Sequence, residues 1–177
     1  MTPTELEAQL ERLHGDSYGW ALNCCGWDRS EAEDVLQTAY LRVVSGQARF
    51  GGRSAFKTWL FGVIRRTALE SYRRARSHRQ SALRLVRDDV QTPPEDVEAR
   101  LERAESSRRL VAALGEVSEK QREVLHLVFY QDLSIAEAAQ VMGVSLGSAR
   151  THYARGKDRL RALLTEDETG GRPATGS

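Results

Sequence analysis

Between Asp34 and Gly46 the apolar positions Val35, Leu36, Ala39, Tyr40, Val43 and Val44 recur three and four residues apart, with polar residues between them. That spacing predicts an amphipathic helix. Ser30 followed by Glu33 reads as its capping box, and Gly46 as its stop. Upstream, Thr4 is placed to cap a helix running to about Cys25, where Gly26, Asp28 and Ser30 interrupt the pattern. Downstream, FGGRS is a short Gly-rich loop, after which Ser54 is placed to cap a third helix through FKTWLFGVIRRTALESYRR. Three helices of these lengths can share one core.

The pattern then breaks at SHRQSALRLVRDDVQTPP, which ends in Pro93 and Pro94 and reads as a linker, extended or partly helical. From Glu95 the positions Val97, Leu101, Ala104, Leu110, Ala113 and Leu114 predict another helix. Ser118 is placed to cap the next, and Ser134 to cap a short one ending before Gly143. Gly143 suits the left-handed conformation of a tight turn, with Val144 turned inward and Ser145 capping the last helix. This is the layout of a helix-turn-helix. On the last helix Ala149, Tyr153, Gly156, Leu160 and Leu163 form the inward stripe, and Ser148, Thr151, Arg155 and Asp158 lie opposite. The expected fold is therefore all-α, with two small helical domains: residues 1–76, a linker at 77–94, a second domain at 95–165, and a polar, disordered tail at 166–177.

Composition narrows the function classes. Of 177 residues 40% are hydrophobic and 29% charged, with four prolines, as expected of a globular helical chain. Nothing approaches the roughly 18 consecutive apolar residues of a membrane span, and the acidic, amphipathic N-terminus is unlike a secretory leader. A cytoplasmic chain without membrane insertion is expected. Cys24 and Cys25 are the only cysteines; sequence neighbours cannot form an ordinary disulfide, and they read as helix-packing residues, with a redox or metal switch as the alternative. His14, His78, His126 and His152 show no ligand spacing, so no metal and no cofactor is expected. With no phosphate loop and no nucleophile–base constellation, neither is catalysis.

Charge changes the picture more than composition does. The formal net charge is only +1, yet residues 1–48 carry three Lys or Arg against eight Asp or Glu, and residues 49–87 carry eleven against one. Residues 145–164 carry five against one. Two basic blocks separated by acidic ones point to two polyanion-binding surfaces, with the acidic parts held away from the polyanion or turned toward a basic partner. A helix in the major groove reads bases from its first turns, where Ser148, Arg150, Thr151 and Arg155 stand, while Lys157, Arg159 and Arg161 are available for phosphates.

EAEDVLQTAYLRVVSG followed by FGGRSAFKTWLFGVIRRTALESYRR resembles region 2 of the sigma-70 family of bacterial transcription initiation factors. VSEKQREVLHLVFYQDLSIAEAAQVMGVSLGSARTHYARGKDRLRALL resembles its region 4, and the pair together is similar to the smallest members, the extracytoplasmic function (group 4) sigma factors. The resemblance implies promoter-directed transcription initiation with core RNA polymerase. It places Glu33, Asp34, Gln37, Tyr40, Leu41 and Arg42 on the clamp helices of the beta-prime subunit. It gives Phe50, Arg53, Ser54, Lys57, Thr58, Trp59, Arg65, Arg66, Arg73 and Arg74 to the melted −10 strand, and Ser148, Arg150, Thr151, Arg155 and Lys157 to the −35 duplex. Partners so implied are core polymerase (clamp helices and beta flap), promoter DNA and an anti-sigma factor. Arg66 and Glu70 stand where the family usually has Asn and Asp. The competing reading is a stand-alone helix-turn-helix regulator, which needs no polymerase and favours a palindromic duplex.

Overall fold

The computed structural model describes residues 2–81 and 113–170, with side chains to residue 77 in the first stretch and to residue 165 in the second. Every regular element among the described residues is helical. The first helix is capped two residues before the expected position, by Thr2 in place of Thr4: α1 spans Pro3–Arg12, with Pro3 at its first position. Thr2 accepts the Glu5 N–H at 3.2 Å while its own N–H donates to the Glu5 carboxylate at 2.7 Å, a capping box that leaves Pro3 at the first helical position, where its missing N–H costs nothing. A break at Leu13 (φ −95°, ψ 5°) starts α2, His14–Cys24, so the single helix expected here is two. Leu10 and Leu13, on either side of the turn, both face the core.

Gly26 and Trp27, at φ 63° and 71°, turn the chain into α3, Arg29–Val44. Its cap is Asp28, which accepts the Glu31 N–H at 2.9 Å, in place of the expected Ser30. The helix ends at Val44 with Ser45 as its C-cap, just before the expected stop at Gly46, which takes φ 74°. α4 spans Phe56–Ser81. Ser54 does not cap it, because the Ser54 hydroxyl donates to the Ala55 carbonyl at 3.2 Å. The helix also runs on through Ser77–Ser81, the beginning of the stretch read as linker, since the residues after Gly62 include no Gly or Pro before Pro93.

The helix expected from Glu95 lies outside the described residues but for its last turn, residues 113–115. α5 (Glu119–Leu125) starts at Ser118 without a side-chain cap bond. It runs into a π-helical turn, His126–Tyr130, closed by the Gln131 N–H on the His126 carbonyl at 3.2 Å. α6 (Ile135–Met142) carries the expected Ser134–Glu137 capping box and ends at Gly143 in the left-handed region, φ 65° and ψ 37°. α7 spans Leu146–Gly170, with Ser145 accepting the Ser148 N–H at 3.1 Å. Its helix extends through residues 166–170, which were expected to belong to a disordered tail; Gly170 is the first glycine after Gly156.

α1 to α4 enclose Trp20, Val35, Leu36, Ala39, Leu60, Phe61 and Ile64. The Trp20 indole donates to the Phe61 carbonyl at 3.0 Å, and the two rings stack with centroids 5.9 Å apart. In the second set α7 crosses α5 at Gly156, where an added Cβ would lie 3.1 Å from Leu125 Cδ1 and 3.2 Å from Gln121 Cβ. The two sets do not stand apart. Val124, Leu127, Leu133, Ala138, Val141 and Met142 join the apolar cluster of the first set, and α6 lies directly on α4.

Candidate nucleic-acid and partner interfaces

α3 presents an outward ridge. Glu33, Asp34 and Gln37 are exposed, and Leu41 and Val44 are 63% and 62% exposed, although Val44 was read as an inward residue. Large apolar groups this open beside carboxylates make a surface suited to a protein partner. Tyr40 stands half-buried at its edge, its hydroxyl 3.5 Å from His14 Nδ1, and burial raises its pKa. Arg42 leaves the ridge altogether. Its guanidinium donates to Glu70 at 2.6 Å and to the Thr67 hydroxyl at 3.1 Å, tying α3 to α4.

The loop before α4 brings Phe50, Phe56 and Trp59 together, with neighbouring ring centroids 5.3 to 5.4 Å apart. All three remain partly open, and Arg53, Arg66, Arg73 and Arg74 are exposed in the same loop and along α4. Ser54 is half-buried. Aromatic surface flanked by guanidinium groups can stack an unpaired base and hold its phosphates. Lys57, Thr58 and Arg65 are placed differently, on the side of α4 that meets the second set. The Lys57 ammonium donates to Asp16 at 2.8 Å and to the Gln131 carbonyl at 3.0 Å. Thr58 is buried, and Arg65 forms two parallel hydrogen bonds with the Glu123 carboxylate at 2.7 and 3.1 Å.

On α7 Ala149 and Gly156 are buried and Tyr153, Leu160 and Leu163 partly so, which turns Ser148, Arg150, Thr151 and Arg155 to solvent. Thr151 donates to the Gly147 carbonyl at 3.0 Å, and Ser148 accepts from Ser145 at 2.9 Å. Arg150 and Arg155 make no ion pair with the described residues. Lys157 lies beside the inward stripe: its ammonium sits 4.6 Å from the Tyr153 ring centroid, and with Phe129, Leu160, Arg161 and Leu164 it lines a cavity of about 320 Å³. Phe129 and Tyr130 are exposed on the π-helical turn. Sequence reasoning missed both, because the apolar run LHLVF is too continuous to show which face is outward.

Two further groups are inert. The Cys24 and Cys25 thiols are raised by burial, Cys25 to about 12 with the nearby Glu31 and Asp28 adding to the shift, so neither is a ready thiolate. His126 is lowered to about 4 by burial and is neutral near pH 7. Among the described residues no three His, Cys, Asp or Glu side chains gather as a metal site, and no helix is long and apolar enough to cross a membrane.

Known proteins share both halves. Sigma-70 region 2 matches residues 10–78, and Sigma-70, region 4 matches residues 107–160. The chain is 34% identical over 150 residues to the ECF RNA polymerase sigma factor SigX of Bacillus subtilis, covering 79% of this chain and 75% of that protein. It is 30% identical over 169 residues to the RNA polymerase sigma factor CnrH of Cupriavidus metallidurans, covering 90% of this chain and 86% of that one. Among solved structures, the sigma factor RpoE of Bartonella quintana, in complex with the anti-sigma factor NepR, superposes with a TM-score of 0.76 at 22% identity over 91% of this chain and 97% of that one. CnrH in complex with the cytosolic domain of CnrY superposes with a TM-score of 0.64 at 23% identity, covering 94% and 91%.

Proposed function

Because the chain belongs to the ECF RNA polymerase sigma factors, we propose that its α3 ridge seats it on core polymerase and its two basic surfaces read a two-element promoter. It works by binding and not by catalysis, in the cytoplasm where the polymerase acts. Glu33, Asp34, Gln37, Tyr40, Leu41 and Val44 form the contact with the clamp helices of the beta-prime subunit, and region 4 meets the beta flap. The Phe50–Phe56–Trp59 cluster, with Arg53, Arg66, Arg73 and Arg74, holds the melted −10 strand, and Lys57, Thr58 and Arg65 complete that surface when they are uncovered. Ser148, Arg150, Thr151 and Arg155 read the −35 duplex, flanked by Lys157. An anti-sigma factor is the inhibitory partner, by analogy with the complexes of its structural relatives.

The observation that carries this reading is the open row Ser148, Arg150, Thr151 and Arg155 on a helix fixed by Gly143 and Ser145. A buried stripe behind and unpaired guanidinium groups in front are what base reading in the major groove requires. The test is selection of bound sequences from a randomised duplex library by reconstituted holoenzyme. The wild type is expected to select two elements at a fixed spacing. Arg155→Ala is expected to relax one position of the upstream element at a cost of about 1 to 3 kcal/mol. A palindromic site selected without polymerase would instead establish the stand-alone regulator.

A further inference from the structure

We propose that copies of the free chain bind one another ridge to groove, the acidic and apolar α3 ridge of one copy lying in the basic and apolar groove between α7 and the π-helical turn of another. Both surfaces are open in the same chain. On α3, Leu41 and Val44 stand exposed, and Glu33 and Asp34 beside them make no ion pair with the described residues. On the other side, Leu160, Leu164 and the 59% exposed Phe129 give the groove of about 320 Å³ its apolar lining, and Lys157 and Arg161 give it positive charge. Arg161 lies 4.0 Å from Asp158 with both side chains exposed, an ion pair that holds it weakly.

The two surfaces match in sign and in spacing. Asp34 and Leu41 are seven residues apart on α3, a rise of about 10.5 Å along the helix axis. Lys157 and Leu164 have the same separation on α7, and so the same rise. Laid parallel in one register, the helices set Asp34 on Lys157 and Leu41 on Leu164, with Val44 extending the apolar contact. Reversed, that register sets each charge on a leucine, so the charges select the parallel arrangement.

Neither surface covers the other within one chain, and open apolar groups beside charge of one sign call for a complement that a second copy carries. The contact is heterologous, so it closes as a reciprocal pair or continues head to tail. One helix laid in one groove is at the small end of protein interfaces, and a dissociation constant of about 50 μM is expected. Since the ridge is the surface assigned above to core polymerase, contact between copies and assembly with polymerase exclude each other. Ser148, Arg150, Thr151 and Arg155 lie on the turns of α7 ahead of the groove and stay outside the contact.

The test uses the full chain without polymerase or DNA, in sedimentation equilibrium, with circular dichroism to check the fold of each variant. Asp34→Lys sets a cation against Lys157, Lys157→Glu sets an anion against Asp34, and Glu116→Lys makes the first charge change at an exposed position outside both surfaces. The wild type should show a mass that rises with concentration above that of one chain. Each of the two reversals alone should weaken association at least fivefold, and Glu116→Lys less than twofold. Mixed in equal amounts, Asp34→Lys and Lys157→Glu should recover association to within twofold of the wild type, because contacts between unlike copies again pair opposite charges. Leu41→Ser, which changes no charge, should also weaken association at least fivefold, and it keeps the ridge testable should a reversal lose helicity. A wild type that remains one chain up to about 0.5 mM, roughly tenfold above the expected dissociation constant, overturns the proposal. Association that survives both reversals, or that the mixture fails to restore, overturns the ridge-in-groove contact. Neither result touches the assignment of the ridge to polymerase, which is tested by assembly with the core enzyme.

Discussion

Arg42 is the residue on which sequence and structure disagree most usefully. The family resemblance placed it on the polymerase ridge, whereas its guanidinium bridges α3 to α4 through Glu70 at 2.6 Å and Thr67 at 3.1 Å. Hydrogen bonds to charged groups contribute about 1.5 to 3 kcal/mol when well buried, and exposed ion pairs about 0 to 1. With the two side chains 22% and 36% exposed, a coupling of about 1 kcal/mol is expected between Arg42 and Glu70. Arg42→Ala also loses the Thr67 bond and the packing of the arginine stem, for a total of about 2 kcal/mol. For a chain of this size that lowers Tm by roughly 4 to 8 °C. Urea unfolding of Arg42→Ala, Glu70→Ala and the double variant closes the cycle. A coupling below about 0.3 kcal/mol, together with a loss of polymerase binding by Arg42→Ala at full stability, would return Arg42 to the polymerase surface.

Asp34→Arg should leave helicity and Tm unchanged while weakening assembly with core polymerase at least tenfold in a competition assay, an effect of about 1.4 kcal/mol or more; normal assembly would remove Asp34 from the ridge. Gly156→Val should destabilise region 4 by about 2 kcal/mol, because Leu125 is buried and cannot yield to a side chain at 3.1 Å; an unchanged Tm would mean that α5 and α7 do not approach so closely. His126, packed against Trp20 and Tyr130 and within 3.3 Å of Gln131 Nε2, has its pKa lowered from 6.5 to about 4 by burial. The unfolded chain therefore takes up a proton first, so stability is full above pH 6.5 and falls by roughly 3 kcal/mol toward pH 4. His126→Gln should flatten that part of the unfolding profile, and an identical profile would show that His126 is freely protonated in the folded protein.

Periodicity made α3, α4 and the helix-turn-helix legible because each has one apolar stripe and one wet face, whereas the break at Leu13 that divides α1 from α2 carries no Gly or Pro to mark it. Gly143 was readable for a local reason: a helix that must turn within three residues needs the left-handed conformation. The caps were less legible, since Thr2 and Asp28 compete with Thr4 and Ser30 within two residues, and Pro3 and the Gly26–Trp27 turn decide between them. What pattern cannot carry is where two separately predicted domains meet. Lys57 and Arg65 look alike in sequence to Arg66 and Arg73, yet the first two are paired to Asp16 and Glu123 and the others face solvent. Glu123, one carboxylate among many in the sequence, acquires its role only through a partner fifty-eight residues away.

The central claim is that this chain confers promoter choice on a polymerase that otherwise lacks it. Run-off transcription with purified core RNA polymerase and pooled genomic promoter fragments, with and without the protein, tests it most directly. Discrete new transcripts whose templates share an upstream and a −10 element at one spacing are the expected result. An unchanged transcript pattern from a protein that assembles with the polymerase and binds the duplex element would contradict it.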